Sequence, residues 1–510
     1  MPKSLENKGL YRCFGEYFSM SIVQMTQEEL EQKCARQEQQ IAELVAKLTW
    51  YEELYRLNKK KQFGPSSEQT NVLQLSVFNE AEVEAKPTPE PTVEQITYTR
   101  RKQQGKREEQ LEDLPVEVVE YNLPEGQVCS CCGNELHVMS TETRQELKII
   151  PVQVKLVKHV RNVYSCRRCE EESIKTPVVT APMPAPVLPG SLASPSAIAY
   201  VMSQKYVESM PLYRQEQHLA RFGIPLSRQT LANWMIQSAE RWLRHLYARM
   251  HTHILKQDIL HADETSLQVL HEEGREASNS SFMWLYRTGR GGPPIVLYDY
   301  QTTRASKHPV KFLSGFKGYI HVDGYAGYHA LTDVTLVGCV AHARRKFTEA
   351  LAALPKGSTA VVEAQTGLDY CNKLFTIERE VAGQSPQERF KYRQAHSRPT
   401  LESFSSWLKY QAPRVLPKSS FGQAIAYCRN QWDKLTAFLQ DGRLELDNNR
   451  GERSIKPFVI GRKNWLFCNT PKGAKASATI YSIVETAKEN DLNPFLYLQF
   501  LFEHWNFIKH

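Results

Sequence analysis

Between residues 29 and 57 the chain reads ELEQKCARQEQQIAELVAKLTWYEELYRL. Leu30, Cys34, Gln37, Ile41, Leu44, Leu48, Tyr51 and Tyr55 alternate at spacings of four and three. This is an a/d seam of about four heptads with one polar intruder, Gln37. It predicts a dimerising coiled coil, or else a single amphipathic helix packed on its own domain. Gly64 and Pro65 end it. Residues 81–94, AEVEAKPTPEPTVE, are too rich in proline and glutamate to form a core and read as an extended linker. Residues 147–164 are rich in Val and Ile and partly alternating, as strands are. After a proline-rich joint, TPVVTAPMPAPVLPG, residues 195–245 take on helical texture.

Within that helical stretch, YRQEQHLARFGIPLSRQTLANWMIQSAERW turns at Gly223 and Pro225, and Ser227 is a good N-cap for a second helix from Arg228 to Arg241. Leu231, Trp234 and Met235 would face the first helix, leaving Arg228, Gln229 and Asn233 exposed. That is helix-turn-helix geometry able to enter a major groove, although many helical pairs that bind no DNA share it. From residue 259 the texture changes to short strands: ILHADETSLQVL, SFMWLYRT and PIVLYDY. Then come a helix (TRASKHPVKFL), a strand (GYIHVDGYAGY), a strand (VTLVGCV) and a helix (AHARRKFTEALAAL). Three antiparallel strands followed by two parallel ones is the order of a ribonuclease-H-like core. In that order the first and fourth strands are neighbours, so Asp263 and Asp323 can meet across the sheet.

Composition changes this picture little. Apolar residues make up 41% and charged residues 24%, ordinary for a globular chain. The net charge of +8 and pI near 8.8 suit a polyanionic partner. No apolar run is long enough for a membrane span, and the N-terminus lacks the apolar core of a secretory signal. A cytoplasmic, nucleoid-associated protein is therefore expected, with its eleven cysteines as thiols or metal ligands.

Four of those cysteines form two C-x-x-C knuckles, Cys129/Cys132 and Cys166/Cys169. Two such pairs flanking β-hairpins can clamp one tetrahedral Zn²⁺ with four thiolates, a structural staple with no open position. Cys131 is an alternative to Cys132, and His137 and His159 are alternative ligands. The basic arm RRKQQGKR (Arg100–Arg107) reads equally as a solvated linker or a nucleic-acid contact.

Two adjacent aspartates raise each other's pKa unless a cation sits between them. Two Mg²⁺ (or Mn²⁺) ions roughly 4 Å apart satisfy that need and drive phosphoryl transfer. A third carboxylate is required, from Glu264, Asp333, Glu445, Asp447 or Glu452. Glu264 points away from Asp263 on a regular strand. Asp447, Asn448 and Asn449 suit a helix cap. Glu452, one turn into that helix, is the choice. It stands in a basic surface of Arg453, Lys456, Arg462 and Lys463 that would hold DNA, where Trp465 and Phe467 would stack on an unpaired base or simply pack inward.

The stretches FGPSSEQ, the paired C-x-x-C unit, LHADET, GYIHVDGYAGY, GCVAHARRKF, DNNRGERSIKPFVIGRKNWLF and ASATIYSIVETAKENDLNPFLYL span nearly the whole chain. On them the sequence resembles the transposases of insertion-sequence family sixty-six, the larger-subunit type. The resemblance implies a DDE transposase with Asp263, Asp323 and Glu452 as its acidic triad, and a helical insertion between the second Asp and the Glu. It also implies DNA as partner (terminal inverted repeats and target) and two small accessory proteins of the same element, while the N-terminal seam would make a homodimer or larger oligomer on DNA. Cys339 and His342 match a C-x-x-H element of some such transposases.

The expected fold is multidomain α/β. It comprises an N-terminal extension (1–28), a coiled coil (29–62), a linker with basic arm (63–110), a zinc-binding unit (111–178) and a helix-turn-helix region (179–250). A ribonuclease-H-like core (251–352 and 441–510) follows, interrupted by the helical insertion (353–440). The rival functions are a ribonuclease-H-fold nuclease and a zinc-finger/helix-turn-helix regulator without catalysis.

Overall fold

The computed structural model describes residues 154–164, 179–354 and 359–504, together with isolated positions between 33 and 52. The coiled-coil seam, the basic arm and the four knuckle cysteines Cys129, Cys132, Cys166 and Cys169 fall outside the described residues, apart from those isolated positions. The chain divides into two compact units, one of them Thr88–Pro184 and the other containing Ala185–His510. In the smaller unit, β1 (Val163–Tyr164) pairs antiparallel with β2 (Val179–Thr180). The longer strand run expected up to Tyr164 is not seen in its described part. Val154, Leu156, Val157 and Val160 are exposed, and no described residue covers the face they would need to bury.

The larger unit opens with four helices. They are α1 (Pro195–Tyr206), α2 (Leu212–Arg221), α3 (Arg228–Ser238) and, after a π-helical turn, α4 (Arg244–Ile254). Ser227 starts α3 as expected, its side chain accepting from the Thr230 N–H. Next come β3 (Ile259–Gln268), β4 (Ser280–Thr288), β5 (Val296–Gln301), the short α5 (Lys307–Phe312), β6 (Gly318–Val322), β7 (Val334–Gly338) and α6 (Val340–Ala353). The strands form one five-stranded sheet in the order β5-β4-β3-β6-β7. β3, β4 and β5 are antiparallel, while β3, β6 and β7 run parallel. A helical region follows: α7 (Thr359–Glu380), α8 (Pro386–Gln411), α9 (Ser420–Asn430) and α10 (Trp432–Thr436). The chain then returns to the sheet with α11 (Asn449–Trp465), α12 (Pro471–Glu489) and α13 (Pro494–Glu503).

Two hydrophobic clusters hold this unit together. The first joins β3, β4 and β5 to α1–α4 and α11–α13, through Leu260, Tyr286, Tyr298, Phe458 and Tyr481 among others. The second joins the β7 edge to α6 and the helical region, through Val337, Phe347, Phe404 and Phe438. With helices on both sides, β3 does not alternate inside and outside: Ile259, Leu260, His261 and Ala262 are all buried. Leu231, Trp234 and Met235 of α3 belong to the same cluster as the sheet. The helix-turn-helix pair is thus part of the body of this unit rather than a module of its own. The end of the proline-rich joint is also built in, since Val187 and Leu188 are buried and the Val187 carbonyl accepts from the Trp242 indole.

Ion pairs pin the returning helices. Arg287 on β4 is buried and makes a bidentate pair with Glu489 of α12 at 2.9 and 3.0 Å, and its Nη1 also reaches the Ser454 hydroxyl of α11 at 2.5 Å. Arg393 of α8, fully buried, donates to Glu378 and to the carbonyls of Phe438, Asp441 and Leu444. It thereby fixes the segment that leads from the helical region into α11.

Candidate active site

The parallel pairing of β3 with β6 sets the site. His261 stands opposite His321 in register. Residues two further on project from the same face, so Asp263 and Asp323 stand together just beyond the paired stretch. The two imidazoles stack at 4.3 Å between centroids, 11° from parallel. The sequence carries this arrangement as a repeated His-x-Asp, in HADET and HVDGY.

The backbone orients both aspartates. Asp263 Oδ1 accepts from the Glu264 N–H at 2.8 Å, and Asp323 Oδ1 from the Tyr325 N–H at 2.8 Å. Asp323 is a quarter exposed, at 25%. Gly324 follows it because a side chain there would strike the Tyr427 ring of α9 at 2.8 Å. Asp263 is held well above the ordinary carboxylate range. Burial is the main cause, and the charges of Glu264, Glu452 and Asp323 add to it. Glu452 lies one turn into α11; its charge is felt by Asp263, and its carboxylate stands against the first turn of α6. Its Oε1 is 3.6 Å from His342 Nδ1, and its Oε2 is 3.8 Å from Arg345 Nη2.

The other four acidic residues weighed from sequence have separate occupations. Glu264 is 1% exposed and already partnered, accepting from Arg304 Nε at 2.9 Å and from the Tyr328 hydroxyl at 2.5 Å. Asp333 is exposed, at a positive φ before β7. Glu445 accepts from Arg290 Nε at 2.5 Å and Arg450 Nη2 at 2.9 Å. Burial alone would raise Glu445, but His261 and Arg450 hold it well below the ordinary range. Asp447 caps α11, accepting from the N–H and the side-chain amide of Asn449 at 3.0 and 2.9 Å.

A network not apparent from the sequence ties these parts together. Asn448 donates from Nδ2 to the Ala262 carbonyl at 2.8 Å, and its Oδ1 accepts from His261 Nδ1 at 2.9 Å. Its own N–H donates to Cys339 Sγ at 3.3 Å. Glu445 completes the ring: its Oε2 lies 3.2 Å from His261 Nε2, and its N–H donates to His321 Nε2 at 3.3 Å. The start of α11 is thus bonded to both aspartate-bearing strands and to the head of α6. The DNN triplet and the paired His-x-Asp were the available signals, but the partners lie far apart in sequence.

The residues expected to contact DNA separate into groups. Arg228, Gln229 and Asn233 lie exposed along α3. Arg453 and Lys463 are exposed on α11, and Lys456 is half-buried there. Arg462 turns back onto β3, donating to Thr265 Oγ1 at 3.1 Å and to the Ser266 carbonyl. Trp465 is half-buried, edge-on to Phe458 at 5.5 Å, whereas Phe467 beyond it is exposed.

Comparison with known proteins agrees with this architecture. The model of the transposase IS66 family matches residues 190–476. The chain belongs to the IS66 transposase family. The zinc-finger binding domain of the same family matches residues 127–170, which span all four knuckle cysteines. A model described as transposase C of IS166 homeodomain matches residues 50–119. Among similar sequences is an uncharacterized protein of Sinorhizobium fredii, y4jD, 32% identical over 402 residues that cover 76% of each chain. A second from the same organism, y4hP, is 30% identical over 390 residues, covering 72% of this chain and 68% of its own. Membership supports a transposase with a divalent-metal centre and a zinc finger. Among the described residues no helix is long and apolar enough to cross a membrane.

Two outcomes follow from the geometry. Asn448→Ala leaves the Ala262 carbonyl and His261 Nδ1 without this partner, and should cost about 2–4 kcal/mol of stability in a denaturant titration. The second concerns Asp447, pushed up to about 7 from 3.8 by burial and by the Glu445 and Glu452 charges. A carboxyl with a higher pKa folded than unfolded favours the folded state most below about pH 4, and that contribution fades as pH climbs to about 7. The melting temperature of the metal-free protein should therefore fall across this window, and fall less steeply in Asp447→Asn.

Proposed function

We propose that this chain is a DDE transposase that cuts DNA at the ends of its element and joins the freed 3′ ends to a target. The observation that carries this reading is that Asp263, Asp323 and Glu452, delivered by two parallel strands and one returning helix, lie near enough for the charges of Glu452 and Asp323 to raise Asp263. The sheet order, with three antiparallel strands beside two parallel ones, supports a ribonuclease-H-like core, and α7–α10 occupy the place of its helical insertion.

The donor set fits a hard divalent cation: half-buried Asp263 feels the like charges of Glu452 and Asp323, a placement that is costly without a counter-charge. Mg²⁺ (or Mn²⁺) held by these three residues would supply an activated water or 3′-hydroxyl and stabilise the leaving oxygen. The protein's own contribution is placement. Asn448 holds the Glu452 helix against the Asp263 strand, and Arg304, 4.0 Å from Asp323, pairs with Glu264. Arg345 orients the far oxygen of Glu452.

Around this centre, Arg453 and Lys463 offer charge to DNA phosphates, and Phe467 offers an exposed ring to an unpaired base. Arg228, Gln229 and Asn233 on α3 are placed to read the terminal inverted repeats. Arg462 and Trp465 contribute more by bracing β3 and the core than by contact with DNA. Zn²⁺ on Cys129, Cys132, Cys166 and Cys169 would stabilise the finger. The N-terminal seam would pair two protomers so that both element ends are held together, and two accessory proteins of the element complete the assembly.

The test is a Mg²⁺-dependent cleavage and strand-transfer assay on DNA carrying the element ends. Wild-type protein should nick at the ends and join them to a target. Glu452→Gln and Asp263→Asn should lose both activities by at least about 10³-fold while still binding the ends. Cutting that survives Asp263→Asn would refute the reading. End binding without cutting under any condition, with the accessory proteins present, would favour a regulator.

A further inference from the structure

A second donor set lies against the first and has a different chemistry. Cys339 is the last residue before α6, fully buried, and its sulfur accepts the Asn448 N–H. His342 stands one turn further along α6, with its Nδ1 facing Glu452 Oε1 at 3.6 Å, beyond hydrogen-bond length. Neither of those two atoms has a hydrogen-bond partner, and both are shielded from solvent. One ligand atom each from Cys339, His342 and Glu452 lie within 4.8 Å of one another. Ligands around a tetrahedral Zn²⁺ stand roughly 3.3–3.8 Å apart, so small side-chain shifts would close this cluster on an ion.

We propose that Cys339, His342 and Glu452 form a site for a thiophilic divalent cation of the Zn²⁺ or Cd²⁺ class, distinct in chemistry from the carboxylate centre. A sulfur, an imidazole nitrogen and one carboxylate oxygen suit such an ion and are poor ligands for Mg²⁺. Three protein ligands leave a fourth position for water. Both His342 and Glu452 are about a quarter exposed, 24% and 26%, which provides an approach from solvent to the buried sulfur. Arg345 engages the other carboxylate oxygen, leaving Oε1 turned toward His342. Binding forms the metal–sulfur bond and releases the thiol proton to solvent.

Glu452 is common to both donor sets. An ion held by Cys339 and His342 would draw Glu452 away from Asp263 and Asp323, so a thiophilic metal would inhibit DNA cutting. This consequence rests on the transposase reading of Glu452, whereas the binding itself does not.

Full-length protein, with its zinc knuckles loaded and loosely held metal removed, would be titrated with Cd²⁺ and followed by sulfur-to-metal absorption and ¹¹³Cd NMR. Wild type should take up about one equivalent with a signal of mixed S/N/O ligation. Cys339→Ser should lose that signal, and His342→Asn should bind at least about tenfold more weakly. Circular dichroism melts establish that each variant is folded, and His342→Asn keeps the test decisive if Cys339→Ser is not. Identical uptake and spectra in wild type and both variants would overturn the proposal. In the cleavage assay, with each protein's rate taken relative to its own rate without Zn²⁺, the Zn²⁺ concentration that halves cutting should be at least about tenfold higher for Cys339→Ser than for wild type. If no protein cuts DNA, the transposase reading fails while the Cd²⁺ titration still decides this one.

Discussion

Asn448 is the residue on which the geometry of the candidate site most depends. Its amide spans the seam between sheet and returning helix, giving one bond to the Ala262 carbonyl and taking one from His261. Ala262 immediately precedes Asp263, and Asn448 immediately precedes the helix that carries Glu452. A single buried side chain therefore sets the distance between two carboxylates that are far apart in sequence. Buried amide bonds of this kind keep their geometry because no water competes for them, and breaking either leaves a polar group unpaired. The stacked His261 and His321 and the Glu445 carboxylate extend the same network to the β6 strand that ends in Asp323.

The cluster is electrostatically unfavourable by design of its neighbours. Asp263 feels the like charges of Glu452 and Asp323, while Arg304 and Arg345 reach Asp323 and Glu452 only at 4.0 and 3.8 Å. Arg304 pairs with Glu264, and Arg290 and Arg450 pair with Glu445. Glu264 and Glu445 are thus ion-paired acids, and Asp263, Asp323 and Glu452 carry negative charge that a divalent cation would balance. This division of labour among nearby acids separates the centre from an ordinary ion-pair network more clearly than proximity alone.

Much of the core was legible in the sequence. The order of three strands, a short helix, two strands and a helix from residue 259 onward appears as read, because each strand is short and bounded by turn residues. Ser227 starts its helix where the pattern placed it. What the pattern did not show comes from long-range packing. β3 is covered on both faces, so Ile259 to Ala262 are all buried rather than every second residue. The pattern places Leu231, Trp234 and Met235 between two helices, yet they also join the core of the sheet. Arg462 and Trp465 stand in a basic, aromatic stretch that looks like a nucleic-acid surface. The first instead bonds to β3 and the second half-buries against Phe458, since composition does not reveal which way a helix faces. The Asn448 network could not be read because its partners are separated by most of the core.

The most direct test of the central claim is Mn²⁺ binding followed by electron paramagnetic resonance, in the wild type and in Asp263→Asn, Asp323→Asn and Glu452→Gln, with Asp333→Asn as a control. If the three residues form one centre, each of the three variants weakens Mn²⁺ binding by about tenfold or more, and the control binds as wild type does. Unchanged binding in Glu452→Gln would show that the helix does not supply the third ligand, and would contradict the account.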